Sequence, residues 1–298
     1  CFAKQNHIAG LSYPSLAAVA EQHAGYDVAT AKQFLSFQDR INNELLRHSI
    51  ITQNRFTEWF AKGEQSKQQI KAFVVQFSVF SNLFLIAQLK KTINAESLQS
   101  MRASKEILAN EIGVIFKSSG GLPQQASNDA DTDPELVSTQ GSIEGGQFRF
   151  QAAHFEWLLR LSEKLGLGFN DVGKRRHGTK STLYFCDELS RLYGSEDYLI
   201  SQAASYAVEN WAAAGFWKQL IQGFKLFNEK YHSDLPLAFF TWHDRIEAQH
   251  ALHTQEELEE IYFNHAIQED AFIRYGNEML AGVAVFWDGL DALRRELN

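Results

Sequence analysis

Only four prolines, Pro14, Pro123, Pro134 and Pro236, interrupt a chain of 298 residues. Proline removes a backbone donor and clashes with the preceding helical turn, so a chain this poor in it is free to form long helices. Apolar residues recur at helical spacing throughout. No segment shows the sustained two-residue alternation, bounded by turn signals, that marks a hairpin. The periodicity predicts helices over 14–22, 29–59, 66–89, 94–111, 150–165, 181–193, 196–231 and 236–253. A final helical section starts at Thr254 or Asn264, and turns fall at Gly63, Gly166 and Gly194. The expected fold class is all-α: a single domain over 1–298, built as a helical bundle with its apolar faces turned inward.

The segment 118–146 departs from this pattern. It is rich in Gly, Ser, Asp, Gln and Asn, holds Pro123 and Pro134, and has few apolar residues. Such a composition buries too little surface to offset the entropy of ordering. It reads as a long, mobile, acidic insertion, with helical character on both sides of it.

Composition narrows the partners. The chain is 45% hydrophobic and 21% charged, ordinary for a globular protein with a full core. A formal charge of −8 opposes a broad phosphate-binding surface, so no nucleic-acid partner is expected. The most apolar stretch, 70–89, contains Lys71, Gln76, Ser78, Asn82 and Gln88. Lipid would leave those groups unpaired, so the stretch reads as a buried helix and no membrane is expected. The two cysteines, Cys1 and Cys186, make neither a disulfide framework nor a CxxC pair, and a cytoplasmic location is the expectation.

The sharpest local pattern is His243-Asp-Arg-Ile-Glu247-Ala-Gln-His250. On a helix, Glu247 and His250 lie about 40° and −20° from His243, so all three share one face. Two imidazoles and a carboxylate on one stripe suit a transition metal such as iron, manganese or zinc. The competing reading is a polar face with incidental histidines, and His253 shows that histidine is locally common. Glu209 is a lone acid in a helix of small and aromatic residues and needs a partner. No Lys or Arg lies between Leu192 and Trp217, so a cation must come from another helix; a metal satisfies the carboxylate equally well. Glu111 sits among Leu108, Ile112 and Ile115, where Glu106 competes as the inward acid. His154, taken alone, reads as a first-turn surface histidine.

Taken together these elements resemble the haem-oxygenase-like diiron oxidase and oxygenase family, which shares its helical fold with TenA-type and PQQ-synthase-like proteins. Phe56-Thr-Glu-Trp-Phe-Ala-Lys-Gly63, Ser66 and the Phe-rich stretch 72–81 look like the fold's early helix pair. Asn110-Glu111-Ile-Gly113 resembles the family's N-E-x-G segment, and the helix led by His154 resembles the one that follows it. Glu209 matches the central-helix carboxylate. His243, Glu247 and His250 match an H-x3-D-x2-H helix, with Glu in place of the usual Asp. The stretch 282–290, with Phe286-Trp-Asp-Gly, resembles the closing helix. A further departure is the distance from Glu111 to His154. The family keeps these groups about two helical turns apart, a spacing that would fall on Ser118, whereas here the insertion intervenes. The reading carried forward is that His154 folds back into the site and the insertion loops out.

The resemblance implies six ligands, Glu111, His154, Glu209, His243, Glu247 and His250, holding two Fe(II) ions or a manganese–iron pair. It implies an enzyme: an oxidoreductase that activates dioxygen through a peroxo-diferric intermediate. The substrate it implies is a small molecule of amino-acid or fatty-acid type, oxidised by C–H abstraction with C–C cleavage or by N-oxygenation. A homodimer is compatible with the fold. Tyr206, Trp211, Phe216, Phe240 and Trp242 are candidates for an apolar pocket wall, and Tyr206 for an electron-transfer or self-oxidation role. Lys174, Arg175 and Arg176 read as a solvated basic loop. Two alternatives stand beside this reading. One is a metal-free TenA-like hydrolase using Cys186; the other is a non-catalytic helical interaction protein.

Overall fold

The computed structural model describes the backbone of residues 2–118, 137–143, 146–151 and 153–297, and their side chains except those of 99, 115–118, 137–151 and 247–253. The first part of the chain forms α1 (Phe2–Gln5), α2 (Tyr13–Ala20), α3 (Val28–Glu44), α4 (Ser49–Thr52), α5 (Arg55–Phe60), α6 (Lys67–Ile93) and α7 (Leu98–Ile112). Three strands follow: β1 (Val114–Ser118), β2 (Val137–Ile143) and β3 (Gly146–Gln151). The remainder forms α8 (His154–Lys164), α9 (Lys180–Glu188), α10 (Tyr198–Ala212), α11 (Phe216–Tyr231), α12 (Ala238–Asn264) and α13 (Glu269–Glu296). The fold is the helical bundle expected from the periodicity.

α6 runs through its middle and packs on α7, α8, α9 and α13. It starts with a reciprocal cap: Gln69 N donates to Ser66 Oγ at 3.2 Å, and Ser66 N donates to Gln69 Oε1 at 2.9 Å. By length and composition alone α6 could cross a membrane. Its Gln76, Asn82 and Gln88 side chains, however, are bonded inside the bundle. Gln76 donates to the His177 carbonyl and accepts from Thr179 N, each at 2.8 Å. Asn82 donates to the Gly173 carbonyl at 2.8 Å, and Gln88 donates to Ser104 Oγ at 2.8 Å. Around α6 the core is aromatic. Phe60, Phe73, Phe77, Phe224, Phe240 and Trp287 are all buried, with Phe60 and Phe224 ring centroids 5.0 Å apart in an edge-on pair.

Local chemistry divides the chain more finely than periodicity does. The expected helix over 29–59 is three helices, because His48 Nδ1 accepts from Ile50 N at 3.2 Å and Asn54 Oδ1 accepts from Thr57 N at 3.2 Å, each starting a new element. Asn94 closes α6 instead of opening α7, its amide donating to the Gly194 carbonyl at 3.0 Å, and Ser97 caps α7. The stretch 196–231 divides at Gly215, whose φ of 93° only glycine adopts without strain. α12 continues unbroken through the expected stop at 253.

The insertion differs from the expected loop. β1, β3 and β2 form an antiparallel sheet in that order, with Val114 opposite Phe150 and Ser118 opposite Gly146. Residues 119–136 lie outside the described residues. This pairing returns the chain to its departure point, and α8 therefore begins at His154, four residues later than the predicted start. The end of α7 and the start of α8 lie side by side.

Candidate functional site

Glu111 is in the last turn of α7, just before Gly113, which closes that helix with φ 72°. His154 opens α8. Because β1 and β3 pair from Val114 and Phe150, the two side chains meet: Glu111 Oε2 lies 2.5 Å from His154 Nδ1. His154 is 4% exposed and packs against Trp242 and His243, with ring centroids 4.7 and 4.6 Å away. A carboxylate on Nδ1 places the ring proton there and leaves Nε2 as the lone-pair nitrogen. That Nε2 is buried and has no hydrogen-bond partner among the described residues.

His243, on α12, is held in the same way. Its Nδ1 donates to the Phe239 carbonyl one turn back at 2.6 Å, which directs lone-pair character to Nε2. Its ring stacks on Trp217 with a 4.7 Å centroid separation and 21° between planes. Glu209 comes from α10. Glu111, His154, Glu209 and His243 all line one cavity of about 170 Å³. The rest of its wall is largely aromatic and includes Phe77, Phe80, Trp211, Trp217, Phe239 and Trp242. The indole N–H groups of Trp211 and Trp217 are buried and lack a hydrogen-bond partner among the described residues.

Four of the six expected ligands are therefore brought together. Glu247 and His250 follow His243 on the same helix, but their side chains lie outside the described residues. Among the described residues, no group of three His, Cys, Asp or Glu stands close enough together to hold a metal ion. The donor chemistry nevertheless suits iron or manganese: carboxylates, imidazoles oriented through Nδ1, and a buried imidazole nitrogen lacking a partner.

Two residues at or beside the cavity escaped sequence reasoning. Tyr193 ends a π-helical turn, Leu189–Tyr193, that continues α9. Wide turns of this kind often occur at functional sites. Its hydroxyl donates to Gln88 Oε1 at 2.7 Å. Burial pushes this phenol well above its ordinary pKa, helped by the negative charges of Glu209, Glu111 and Glu257. The second is Lys91 on α6, whose Nζ is buried, lies 4.7 Å from the Tyr193 ring centroid and has no hydrogen-bond partner among the described residues. Burial lowers its pKa to about 8 against the opposing charges of Glu257 and Glu209. Lys91 is thus a cation on another helix that Glu209 acts on electrostatically, without a hydrogen bond to its Nζ. The available signal was a lysine within an apolar helix, indistinguishable in sequence from Lys90 beside it.

Other expectations change. Of the five aromatics proposed for the wall, Trp211 and Trp242 line the cavity. Phe216 stacks behind Trp211 at 5.0 Å, and Phe240 packs on Phe224 at 4.9 Å. Tyr206 turns to Phe272 on α13, 5.8 Å away, so the cavity tyrosine is Tyr193. Arg175 makes a paired contact with Asp187 at 2.7 and 2.8 Å, and Lys174 lies over the Phe169 ring. Cys186 is buried, with its thiol pushed up to about 12 by burial and by Asp187, which opposes a thiolate nucleophile.

No family model matches the chain, and no curated protein matches it. A solved structure does: a domain of unknown function with a heme oxygenase-like fold from Shewanella denitrificans OS217. The two are 15% identical with a TM-score of 0.54, over 89% of this chain and 92% of that one. The fold is haem-oxygenase-like. At this identity the likeness extends to the arrangement of helices alone, and function has to be argued from the cavity.

Proposed function

We propose that the chain is a non-haem diiron oxidoreductase that uses dioxygen to oxidise a small substrate. The observation that carries this reading is the convergence of Glu111, His154, Glu209 and His243, from four different helices, on one largely aromatic cavity. These four, with Glu247 and His250 from α12, are the residues that would hold the metal pair. When bound, such a pair supplies the electrons that reduce dioxygen and thereby oxidises an unactivated C–H or N–H bond.

The chain's own contributions follow from its contacts. Glu111 keeps the ring proton of His154 on Nδ1, and the Phe239 carbonyl does the same for His243, so each ring offers Nε2. The aromatic wall excludes bulk water, which protects a reactive oxidant from side reactions. Tyr193 stays protonated at the cavity edge, held by Gln88.

The test is anaerobic loading with ferrous ion, measurement of iron per chain, and stopped-flow spectra on mixing with oxygen. Wild type should bind about two irons per chain and show an oxygen-dependent visible transient. His154→Ala and His250→Ala should retain helical circular dichroism but lose iron and the transient. Failure of the wild-type chain to bind iron specifically would overturn the reading.

A further inference from the structure

A second and larger cavity, about 420 Å³, lies between α6, α7, α10 and α12. It adjoins the first along Ile107, Tyr193 and Glu209, which line both. Its wall is polar and apolar in equal parts and carries both signs of charge. Lys91 projects from α6, while Glu257 and Glu260 stand one helical turn apart on α12. Ser100, Ser104 and Ser205 add hydroxyls.

Lys91 is the unusual member. A buried ammonium is costly unless it is hydrogen-bonded and paired. Its Nζ has the Tyr193 ring 4.7 Å away but no hydrogen-bond acceptor among the described residues. Glu257 and Glu209 are near enough to act on it electrostatically, without bonding its Nζ. A ligand carboxylate in the cavity would give the ammonium the bonded counter-charge it lacks. A simple anion, however, would also face Glu257 and Glu260. A ligand with an amino group as well would place its positive charge against those two carboxylates.

We infer that this cavity is the substrate pocket, taking an amino-acid-type small molecule whose carboxylate pairs with Lys91 and whose ammonium faces Glu257 and Glu260. Its remaining part reaches past Tyr193 to Glu209, at the edge of the first cavity. A fatty acid fits less well, because it brings a carboxylate for Lys91 but no positive charge for Glu257 and Glu260. The substrate role rests on the oxidase reading above, whereas binding of such a ligand needs no metal.

Isothermal titration on the metal-free full chain tests this. The probes are the common L-amino acids one at a time, with hexanoate and hexylamine as single-charge controls, against wild type, Lys91→Met and Glu257→Gln. The expected result is an amino acid that binds wild type at least about tenfold more tightly than either control and loses about tenfold or more in each variant. Unchanged circular dichroism of the variants separates this loss from misfolding. Binding of no amino acid by wild type, or equal binding by Lys91→Met, overturns the inference, as does hexanoate binding as tightly as the best amino acid. Iron loading is measured on the same preparation. Iron uptake without amino-acid binding sinks only this pocket, and Lys91-dependent binding without iron sinks only the oxidase.

Discussion

Glu111 Oε2 and His154 Nδ1 are 2.5 Å apart, although the whole 118–146 segment separates the two residues in the chain. The contact exists because β1 and β3 pair in a register that sets Val114 opposite Phe150. Both side chains are largely buried, 14% and 5% exposed, so the pair orients an imidazole in the wall of the cavity.

Removing the carboxylate strands that imidazole. Glu111→Ala should lower stability by about 1–3 kcal/mol in urea denaturation, the cost of leaving a buried polar group without its partner. Glu111→Gln keeps an acceptor for Nδ1–H and should cost less than about 1 kcal/mol. Equal losses in the two variants would show that the contact does not orient the ring.

Lys91 predicts a distinctive pH dependence. Its folded pKa of about 8 lies below the ordinary lysine value of 10.5, so the folded chain releases this proton more readily than the unfolded chain. The resulting destabilisation is fully present below pH 8, shrinks as pH rises, and is gone above 10.5. Lys91→Met should therefore be more stable than wild type at neutral pH, by about 1–3 kcal/mol, and the gap should close towards pH 10.5. Tyr206 and Cys186, each raised to about 12, make the opposite contribution in alkali but are common to both proteins. The difference between wild type and variant, measured by urea denaturation across this range, isolates Lys91. A gap that does not change with pH would contradict the assignment.

Tyr193 should stay protonated while exposed tyrosines ionise, because burial and three nearby carboxylates oppose its phenolate. The near-ultraviolet tyrosinate titrations of wild type and Tyr193→Phe should superimpose up to about pH 11. The same substitution leaves Gln88 Oε1 without the phenol donor at 2.7 Å, at a cost of about 1–2 kcal/mol. A titration step missing from the variant below that pH would contradict the burial argument.

Gly223 marks where α11 crosses the end of α5. A methyl group there would run into the Phe60 carbonyl and ring. Gly223→Ala should destabilise by at least about 1–3 kcal/mol despite alanine's better helix propensity. Gly215→Ala provides the contrast: nothing lies within 4 Å, and only its φ of 93° opposes the side chain. Thermal unfolding of the two variants compares steric with backbone strain.

Much of this protein is legible in its sequence wherever the cause is local. Ser66 and Gln69 cap each other three residues apart, Gly166 ends α8 at a φ of 75°, and the spacing of His243, Glu247 and His250 sets them on one helix. Glu209 stands out as an acid among small and aromatic neighbours for the same reason. Boundaries that depend on side-chain caps, such as those at His48 and Asn54, were less clear, because a capping residue looks like any polar residue until its partner N–H is known.

What joins distant parts of the chain was decided by the tertiary structure. A turn widened to π geometry, packed against α6, puts Tyr193 rather than Tyr206 at the cavity. The packing of both α6 and α10 on that turn makes Lys91 a cation near Glu209. The β1–β3 ladder, with α7 and α8 both packed on α6, brings Glu111 to His154. Helical periodicity specifies which face of a helix is apolar, within a few residues of chain. It carries no information about which other helix meets that face, because that choice is made by the packing of side chains far apart in sequence.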